Sequence, residues 1–441
     1  DLPKVADEIL NYWEENNIFE KSVTTREGKE PFVFFEGPPS ANGLPGVHHV
    51  LARAIKDIFP RYKTMKGYQV KRKAGWDTHG LPVELGVEKE LGITKEDIGT
   101  KITVEEYNEA CKKAVMRYTD IWNDMTKKVG YWVDMEDPYI TYKPKYMESV
   151  WWLLKEIYSK KLMYKGYTIQ PYSPKAGTGL SSHELNQPGT YQDVTDTTIV
   201  AQFKTIKETL PSFLQVDGDV HFLAWTTTPW TLPSNTALTV GPKIEYVLVK
   251  TFNQYTFEPI QVVLAKNLVG KQFAGKKFKQ VEGVEELTNY TEGDKQIPFT
   301  IVKEFVGKDL VGIKYEQLLE YALPYENPEN AFRVISGDFV TTEDGTGIVH
   351  TAPTFGQDDA VVAKQASPEV PPLLVLDKDG NPVPLVDLQG KFRPEMGAYA
   401  GKYVKNEYYN DGEAPERSVD VELAIQLKTE NKAFKVEKYV H

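Results

Sequence analysis

The stretch that decides the fold reads FFEGPPSANGLPGVHHVLARAIKDIF at residues 34–59, and KRKAGWDTHGLPVE follows at residues 71–84. An apolar run at residues 32–35 predicts a strand, which ends at the glycine and prolines of residues 37–39 because proline has no N–H to donate. From His49 onward, apolar residues recur at helical spacing. The sequence therefore predicts a strand, a loop and a helix, with the loop at the carboxyl end of a strand, where open α/β sheets bind ligands.

Two histidines and one aspartate follow these predicted strands. His48 and His49 stand at the helix start, where the helix N-terminus favours an anion such as phosphate. A second predicted strand at residues 68–72 leads to Asp77, a carboxylate beside turn glycines. The alternatives are a pair of helix-start histidines without a catalytic role and an aspartate that only caps a turn.

Composition bounds the class of protein. The chain has 441 residues, enough for two or three domains, and its net charge of −11 by itself argues against nucleic-acid binding. Between residues 53 and 73, however, eight basic residues accompany one acidic residue, Asp57. The basic residues are Arg53, Lys56, Arg61, Lys63, Lys66, Lys71, Arg72 and Lys73. This stretch is either a solvated helix face or a patch that faces phosphates.

A single cysteine and the absence of long apolar runs limit the location. Cys111 alone excludes an intramolecular disulfide and a multi-cysteine zinc site, which fits a reducing cytosol. No apolar run approaches the ~18–20 residues that cross a bilayer. The sequence therefore predicts a cytoplasmic protein without a membrane partner, and we expect a monomer that binds no metal through this segment.

From about Asp193 the pattern changes to short strands separated by turns. Such spacing is typical of a compact β-barrel-like domain. The predicted strands are residues 197–204, 220–225, 236–240, 246–251, 260–265 and 298–305, and the predicted helices are residues 314–322, 357–366 and 418–430. A hairpin is predicted through residues 379–380.

Two motifs in this region carry candidate chemistry. The first, WTTTPWTLPSN at residues 225–235, brings three threonine hydroxyls to a strand end, although threonine is also common in strands for packing reasons. The second is GTGIVHTAP at residues 345–353, followed by GQDD at residues 356–359. Its aspartates stand at a helix start, where Asp358 or Asp359 could equally be a helix cap.

Together, GPPSANG, the histidine pair, GWDTHGLPVE and the two later motifs resemble the class I aminoacyl-tRNA synthetases of the isoleucyl type. The resemblance implies an α/β fold in which residues 1–192 form the first half of a Rossmann-type nucleotide-binding catalytic domain. It implies an inserted β-barrel-like editing domain at residues 193–425 and a return segment at residues 426–441. We expect the chain to correspond to the front portion of the family, without the second catalytic half, its KMSKS-type loop or the anticodon-binding region.

The resemblance assigns residues to an activation site. It implies that ATP, with Mg as its counter-ion, contacts Gly37, Pro38, Pro39, Gly46, His48 and His49, with the two histidines catalytic. It implies that Asp77 binds the α-ammonium of isoleucine, with Gly43, Trp76 and His79 as walls of the pocket. The family pattern at the helix start is His-x-Gly-His, whereas residues 46–49 here read Gly-Val-His-His. Either His48 does the work of the missing first histidine, or ATP is held differently.

The resemblance also assigns an editing site, whose partner would be misacylated tRNA(Ile). It implies that Asp359 holds the ammonium of the misattached amino acid and that His350 shapes the side-chain pocket. Thr226, Thr227 and Thr228 would bind the ester and orient its attacking water, with Thr227, Thr228 and Asp359 catalytic. Trp230 and Asn235 are further candidates. The implied function is ATP-dependent attachment of isoleucine to its tRNA, with hydrolysis of misattached valine.

Three alternatives remain open. A valyl-type synthetase shares the layout, but valyl and leucyl enzymes carry an arginine after the threonines, and this chain does not. A free-standing editing hydrolase would not need the GPPSANG and GWDTHGLPVE motifs. A nucleotide-binding module or inactive paralogue is kept open by the altered histidine motif.

Overall fold

The computed structural model describes residues 1–166 and 168–441, which fall into two compact units divided at residues 166 and 167. This division differs from the expected domain boundary at residues 192 and 193. Residues 433–440 of the expected return segment pair with a strand of the second unit. The assignment of residues 1–192, 193–425 and 426–441 to catalytic and editing domains stays a prediction.

The first unit combines helices with a parallel pair of strands. Its helices are α1 (Leu2–Glu15), α2 (Ile18–Thr24), α3 (Val47–Met65), α4 (Leu81–Leu91), α5 (Val104–Val115), α6 (Thr119–Lys128) and α7 (Pro144–Ser159). Its strands are β1 (Lys73–Trp76) and β2 (Asp134–Ile140), which pair in parallel with Trp76 opposite Ile140. A parallel pair needs a long crossover, and α4 to α6 supply it along the chain.

The strands predicted on either side of the helix do not lie where the sequence places them. Residues 32–35 are not in a strand, and pairing is confined to an isolated bridge between Pro31 and Gln69. The Phe32 N–H donates to the Gln69 carbonyl at 2.9 Å, and the Gln69 N–H donates to the Glu30 carbonyl at 3.0 Å. The second strand begins at Lys73 rather than in residues 68–72. The predicted loop and helix are confirmed, the helix beginning at Val47.

The second unit is built on a mixed sheet of ten strands among the described residues. These are β5 (Thr195–Lys204), β6 (Val220–Thr226), β7 (Ala237–Val240), β8 (Glu245–Phe252), β9 (Pro259–Ala265), β10 (Phe278–Gln280), β11 (Ile297–Val306), β12 (Arg333–Ser336), β13 (Ile348–Thr351) and β16 (Ala433–Val440). Two hairpins pair β3 (Tyr172–Ser173) with β4 (Thr178–Gly179) and β14 (Leu374–Leu376) with β15 (Pro382–Pro384). The helices are α8 (Ser182–Leu185), α9 (Val269–Gln272), α10 (Gln357–Gln365) and α11 (Val419–Thr429).

The six predicted strands and two of the predicted helices of this unit are confirmed, their ends shifted by at most two residues. The predicted helix at residues 314–322 is wrong. Lys314 forms an isolated bridge to Arg333 of β12, and Tyr315 forms one to Thr205, directly after β5. The sequence also predicts a strand at residues 165–169, but this range contains residue 167, which lies outside the described residues. Its described neighbours are not in a strand.

Hydrogen-bonded pairing in the second unit runs around a circuit. β5 pairs with β6, β6 with β13, β13 with β7 and β7 with β12, and the two bridges through Lys314 and Tyr315 lead back to the end of β5. Alternate residues of the strands face different cores, as the two-residue period of a strand requires. On β6, Phe222 and Ala224 join one buried cluster, whereas Leu223 joins another. Within the described part of the chain, no helix combines the length and apolar content needed to cross a membrane.

Candidate functional site

The loop of the first unit is held against the ends of β1 and α6. The Pro39 carbonyl accepts a hydrogen bond from the Asp77 N–H at 2.9 Å, and the Gly43 carbonyl accepts one from the indole N–H of Trp122 at 2.8 Å. Trp122 packs in a buried cluster with Ala41 and Trp76. The two sequence motifs, GPPSANG and GWDTHG, are therefore joined directly through the backbone.

The two histidine rings are in contact at the start of α3, tilted by 44° to each other. The His49 ring centroid lies 3.8 Å from that of His48 and 4.6 Å from that of Trp122. The Gly46 N–H donates to Nδ1 of His49 at 2.9 Å, so Nδ1 carries no proton and Nε2 is the atom left for a ligand. Burial, with the nearby His48 and Arg53, lowers the pKa of His49.

The ring of His48 fills the space beside Gly46. A Cβ added to Gly46 would lie 2.9 Å from Cε1 and 3.0 Å from Nδ1 of His48. The imidazole of His48 therefore lies against the position that a side chain at residue 46 would occupy. This position is where the family pattern places its first histidine.

Asp77 and His79 are both exposed, although each is held in a defined turn. Oδ1 of Asp77 accepts a hydrogen bond from the His79 N–H at 3.5 Å. Nδ1 of His79 lies 3.0 Å from the Thr141 hydroxyl, which also accepts from the Thr78 N–H at 3.0 Å. Trp76, proposed as a pocket wall, is only 7% exposed and belongs chiefly to the buried cluster. Among the described residues, Asp77 shares no hydrogen bond with His48 or His49.

A charged cluster behind the loop was not predicted. The Glu36 carboxylate forms an ion pair with Lys56 at 2.9 Å and accepts a hydrogen bond from the Tyr131 hydroxyl. The buried guanidinium of Arg53 lies 5.0 Å from the ring centroid of Trp122. Burial and the bond to Glu36 raise the pKa of Tyr131, and burial lowers that of Arg53. The signal available in the sequence was Glu36, a carboxylate between an apolar run and the GPPS loop.

The basic stretch at residues 53–73 is thus only partly a solvated face, because its arginines pack against other side chains while several of its lysines are exposed. Arg53 and Arg72 are buried, and Arg72 lies over the rings of Phe19 and Trp132. Arg61 forms an ion pair with Asp57. The guanidinium groups are used in packing, which a charge count cannot show.

A cavity of about 690 Å³ in the second unit collects most of the predicted editing residues. Its lining includes Thr226, Thr228, Trp230, His350 and Asp359. Thr231, which the sequence reasoning missed, also lines it. The described lining of this cavity does not include Thr227 or Asn235. Thr227 lies between Thr226 and Thr228 in the chain, and the Asn235 side chain contacts His350.

The threonines form a connected set of hydroxyls. The Thr228 N–H donates to the Thr226 hydroxyl at 3.0 Å, and the two hydroxyl oxygens are 3.3 Å apart. The Thr228 and Thr231 hydroxyl oxygens are also 3.3 Å apart. Several polar groups that can both donate and accept therefore face one small volume.

Asp359 lies in the first turn of α10 but does not cap it. Its Oδ2 accepts a hydrogen bond from the N–H of Ala352, which precedes the helix, at 2.9 Å. The N-cap of the helix is Gly356. Burial raises the pKa of Asp359. The carboxylate thus has one backbone donor and a place on the cavity wall, where a cationic group would stabilise its charged form.

His350 is buried in the lining of the same cavity. Its Nε2 lies 3.0 Å from the Thr231 hydroxyl, and its Nδ1 lies 2.8 Å from the side-chain nitrogen of Asn235. Burial lowers the pKa of His350 to about 4. Its ring is therefore neutral at physiological pH and, with both nitrogens engaged, is placed as a wall rather than as a base.

Comparison with known families agrees with this arrangement of motifs. The family model described as tRNA synthetases class I (I, L, M and V) matches residues 8–369, and the chain belongs to this family.

Among curated relatives, the Isoleucine--tRNA ligase of Cytophaga hutchinsonii is 61% identical over 451 residues, covering 100% of this chain and 39% of the relative. The Isoleucine--tRNA ligase of Bacteroides fragilis is 59% identical over 458 residues, with the same coverage. The chain thus spans about two fifths of these relatives. A crystal structure of the P. knowlesi cytosolic leucyl-tRNA synthetase editing domain covers 57% of this chain and 96% of its own at 10% identity and a TM-score of 0.33, too low to establish a common fold.

Proposed function

We propose that this chain is the front portion of an isoleucine–tRNA ligase, which attaches isoleucine to its tRNA at the expense of ATP and hydrolyses misattached valine. The observation that carries the proposal is the cavity in which Asp359, His350 and three threonines of one motif meet. The relatives named as isoleucine–tRNA ligases, at up to 61% identity, support the choice of amino acid. In this proposal, residues 1–192 are the first half of a Rossmann-type domain, and the circuit of strand pairing supports a barrel-like editing domain.

For activation, we assign ATP, as its Mg complex, to the loop and helix start. Gly37, Pro38, Pro39 and Gly46 would let its phosphates approach the backbone, and the bond from the Gly46 N–H to Nδ1 leaves Nε2 as the nitrogen of His49 that could contact ATP. His48 would replace the histidine that the family carries at position 46. The reaction is attack of a carboxylate on the α-phosphate, which depends mainly on positioning and charge stabilisation.

For recognition of isoleucine, we assign the α-ammonium to the exposed carboxylate of Asp77. Gly43 and His79 lie in the turns around it, and Trp76 supports the turn from the core rather than forming a broad pocket wall. The link between Asp77 and Pro39 supports this assignment, because it ties the amino-acid turn to the ATP loop.

For editing, we assign the ammonium of the misattached amino acid to Asp359. Thr226, Thr227 and Thr228 would hold the ester carbonyl and the attacking water, with Trp230 beside them. The reaction needs no covalent intermediate, since a fixed carboxylate and a set of hydroxyls suffice to orient ester and water.

Two sites are needed because isoleucine and valine differ by one methylene. Isoleucyl-tRNA synthetase is the standard worked case of this limit, at about 1–3 kcal/mol or roughly 10–200-fold from an apolar pocket. A second pocket that admits valine and excludes isoleucine would remove the remaining errors.

Hydrolysis of valyl-tRNA(Ile) by the purified 441-residue chain tests the editing role. We expect weak but measurable hydrolysis, with isoleucyl-tRNA(Ile) much less affected. The same chain should not make isoleucyl-adenylate alone, and adenylate formation at the rate of the full-length protein would contradict this. Amino-acid-dependent ATP–pyrophosphate exchange by the full-length protein separates the alternatives. Any such exchange would exclude a free-standing editing hydrolase and an inactive paralogue. A preference for isoleucine over valine in this assay would exclude a valyl-type synthetase.

A further inference from the structure

A chain of hydrogen bonds runs from the buried core of the second unit to His350. Tyr315 is buried and its hydroxyl lies 2.7 Å from Oδ1 of Asn235. Nδ2 of Asn235 lies 2.8 Å from Nδ1 of His350, and Nε2 of His350 lies 3.0 Å from the Thr231 hydroxyl. Tyr315 and Asn235 stand behind the described lining of the cavity, whereas His350 and Thr231 belong to it.

The orientation of the Asn235 amide is defined from two sides. Its nitrogen donates to the Ala237 carbonyl at 2.8 Å, and a carbonyl only accepts. Its oxygen accepts from the Tyr315 hydroxyl on the other side. Two further acceptors face the second proton of the nitrogen, Nδ1 of His350 at 2.8 Å and the Thr351 carbonyl at 3.5 Å. We assign the proton to the closer one, so Nδ1 of His350 accepts it and carries no proton.

The proton of His350 is located from the opposite end. The Thr231 hydroxyl donates its single proton to the Thr228 carbonyl at 2.8 Å. Facing His350, the same oxygen can only accept, so Nε2 of His350 carries the proton and donates it. The hydrogen bonds on the two sides of His350, each anchored on a backbone carbonyl, therefore specify the same tautomer.

We propose that Tyr315, acting through Asn235, is a positioning residue that holds His350 in its neutral Nε2–H tautomer and in one ring orientation. The inference rests on the proposed editing function. In it, the His350 ring forms the part of the pocket wall that contacts the aliphatic side chain of the misattached amino acid. A pocket that separates two side chains by one methylene has only about 10–200-fold to work with. A ring free to turn would move that wall and lose part of the discrimination.

The direct test is nitrogen NMR of the 441-residue chain labelled with ¹⁵N-histidine, with H350Q used to assign His350 among seven histidines. We expect the wild-type ring to show a protonated Nε2 and an unprotonated Nδ1. In Y315F, the amide of Asn235 loses one of its two anchors and keeps only the bond to the Ala237 carbonyl, so a second set of His350 signals should appear. In N235D, a carboxylate that only accepts replaces the donor, so the proton should move to Nδ1.

The matched control is Y246F. Tyr246 is another buried tyrosine of the same core cluster, and its hydroxyl donates to the Gly347 carbonyl at 2.6 Å and accepts from the Gly241 N–H at 3.0 Å. Its loss should lower stability but leave the His350 nitrogens unchanged. Unchanged His350 signals in Y315F, a wild-type proton on Nδ1, or equal disturbance in Y246F would each overturn the positioning role.

Hydrolysis gives the second readout. The preference for valyl- over isoleucyl-tRNA(Ile) should fall about fivefold in Y315F, the effect of losing one typical hydrogen bond, and stay at the wild-type value in Y246F. An inactive wild-type chain would overturn the editing function and the discrimination with it. An active chain whose Y315F variant keeps both its nitrogen signals and its preference would overturn the positioning role alone.

Discussion

The imidazole of His48 lies where a side chain on Gly46 would have to go, since a Cβ on Gly46 would come within 2.9 Å of the ring. The backbone of Gly46, with φ of −108° and ψ of 174°, is open to any residue. What demands glycine there is the neighbouring ring. The geometry therefore couples the two exchanged positions of the motif, and a change at one displaces the other.

Replacing Gly46 by alanine should push the His48 ring aside. If His48 serves ATP, we expect ATP–pyrophosphate exchange by the full-length protein to show a several-fold higher KM for ATP, while the unfolding free energy changes by less than about 0.5 kcal/mol. The control is G86A, in α4, where an added Cβ meets no atom within 4 Å. An unchanged KM for ATP in the pyrophosphate exchange assay of G46A would show that His48 does not contact ATP.

Removing the charge of Glu36 should loosen the loop. Glu36 is the partner of Lys56 and Tyr131, and hydrogen bonds to charged groups are worth about 1.5–3 kcal/mol. We expect E36Q to lower the unfolding free energy of the chain by about that amount in urea denaturation. The comparison is E109Q, which breaks the exposed pair with Lys112 and should leave the unfolding free energy nearly unchanged. Equal costs would mean that the Glu36 cluster is not structural.

Neutralising Asp359 should abolish editing without unfolding the domain. Asparagine keeps an oxygen for the Ala352 N–H but loses the charge that would bind an ammonium. We expect D359N to reduce valyl-tRNA hydrolysis at least about 30-fold, the lower range for loss of one partner of a buried charge pair. The neighbouring D358N, exposed on the same helix, should retain wild-type hydrolysis. Comparable loss in both variants would argue against a specific role for Asp359.

Acid should destabilise the second unit through His350. Burial lowers the pKa of His350 from 6.5 to about 4. Between these values the unfolded chain binds a proton that the folded chain does not, so stability falls as pH falls. The contribution is complete above pH ~6.5 and lost below pH ~4, and amounts to about 3 kcal/mol.

Urea denaturation of the wild-type chain and H350Q at several pH values measures this contribution. The difference between their unfolding free energies should change across pH 4 to 6.5 and be constant above it. Parallel curves over the whole range would show that His350 does not titrate as its burial implies.

Local patterns in the sequence predicted much of the secondary structure of the second unit. Six strands there were identified because buried strands combine β-branched residues with turn glycines at short spacing. The helix predicted at residues 314–322 is wrong. Lys314 and Tyr315 each form an isolated bridge, and so short a paired segment leaves no alternating pattern in the sequence by which a strand could be recognised. In the first unit, the strand predicted at residues 32–35 is wrong, because an apolar run marks residues that suit a strand but does not supply a partner, and the pairing there is confined to one bridge between Pro31 and Gln69.

The sequence alone determined the family, the motifs and the types of residue that carry the proposed chemistry, because each motif is a short contiguous run whose meaning does not depend on distant contacts. Only the tertiary structure decided which of these residues meet. Tyr315, Asn235 and His350 are separated by up to 115 residues, and their hydrogen bonds exist because β13 and the bridge at Tyr315 bring them together. Protonation and burial are properties of that assembled environment, so the neutral state of His350 and the packed arginines of α3 could be found only there.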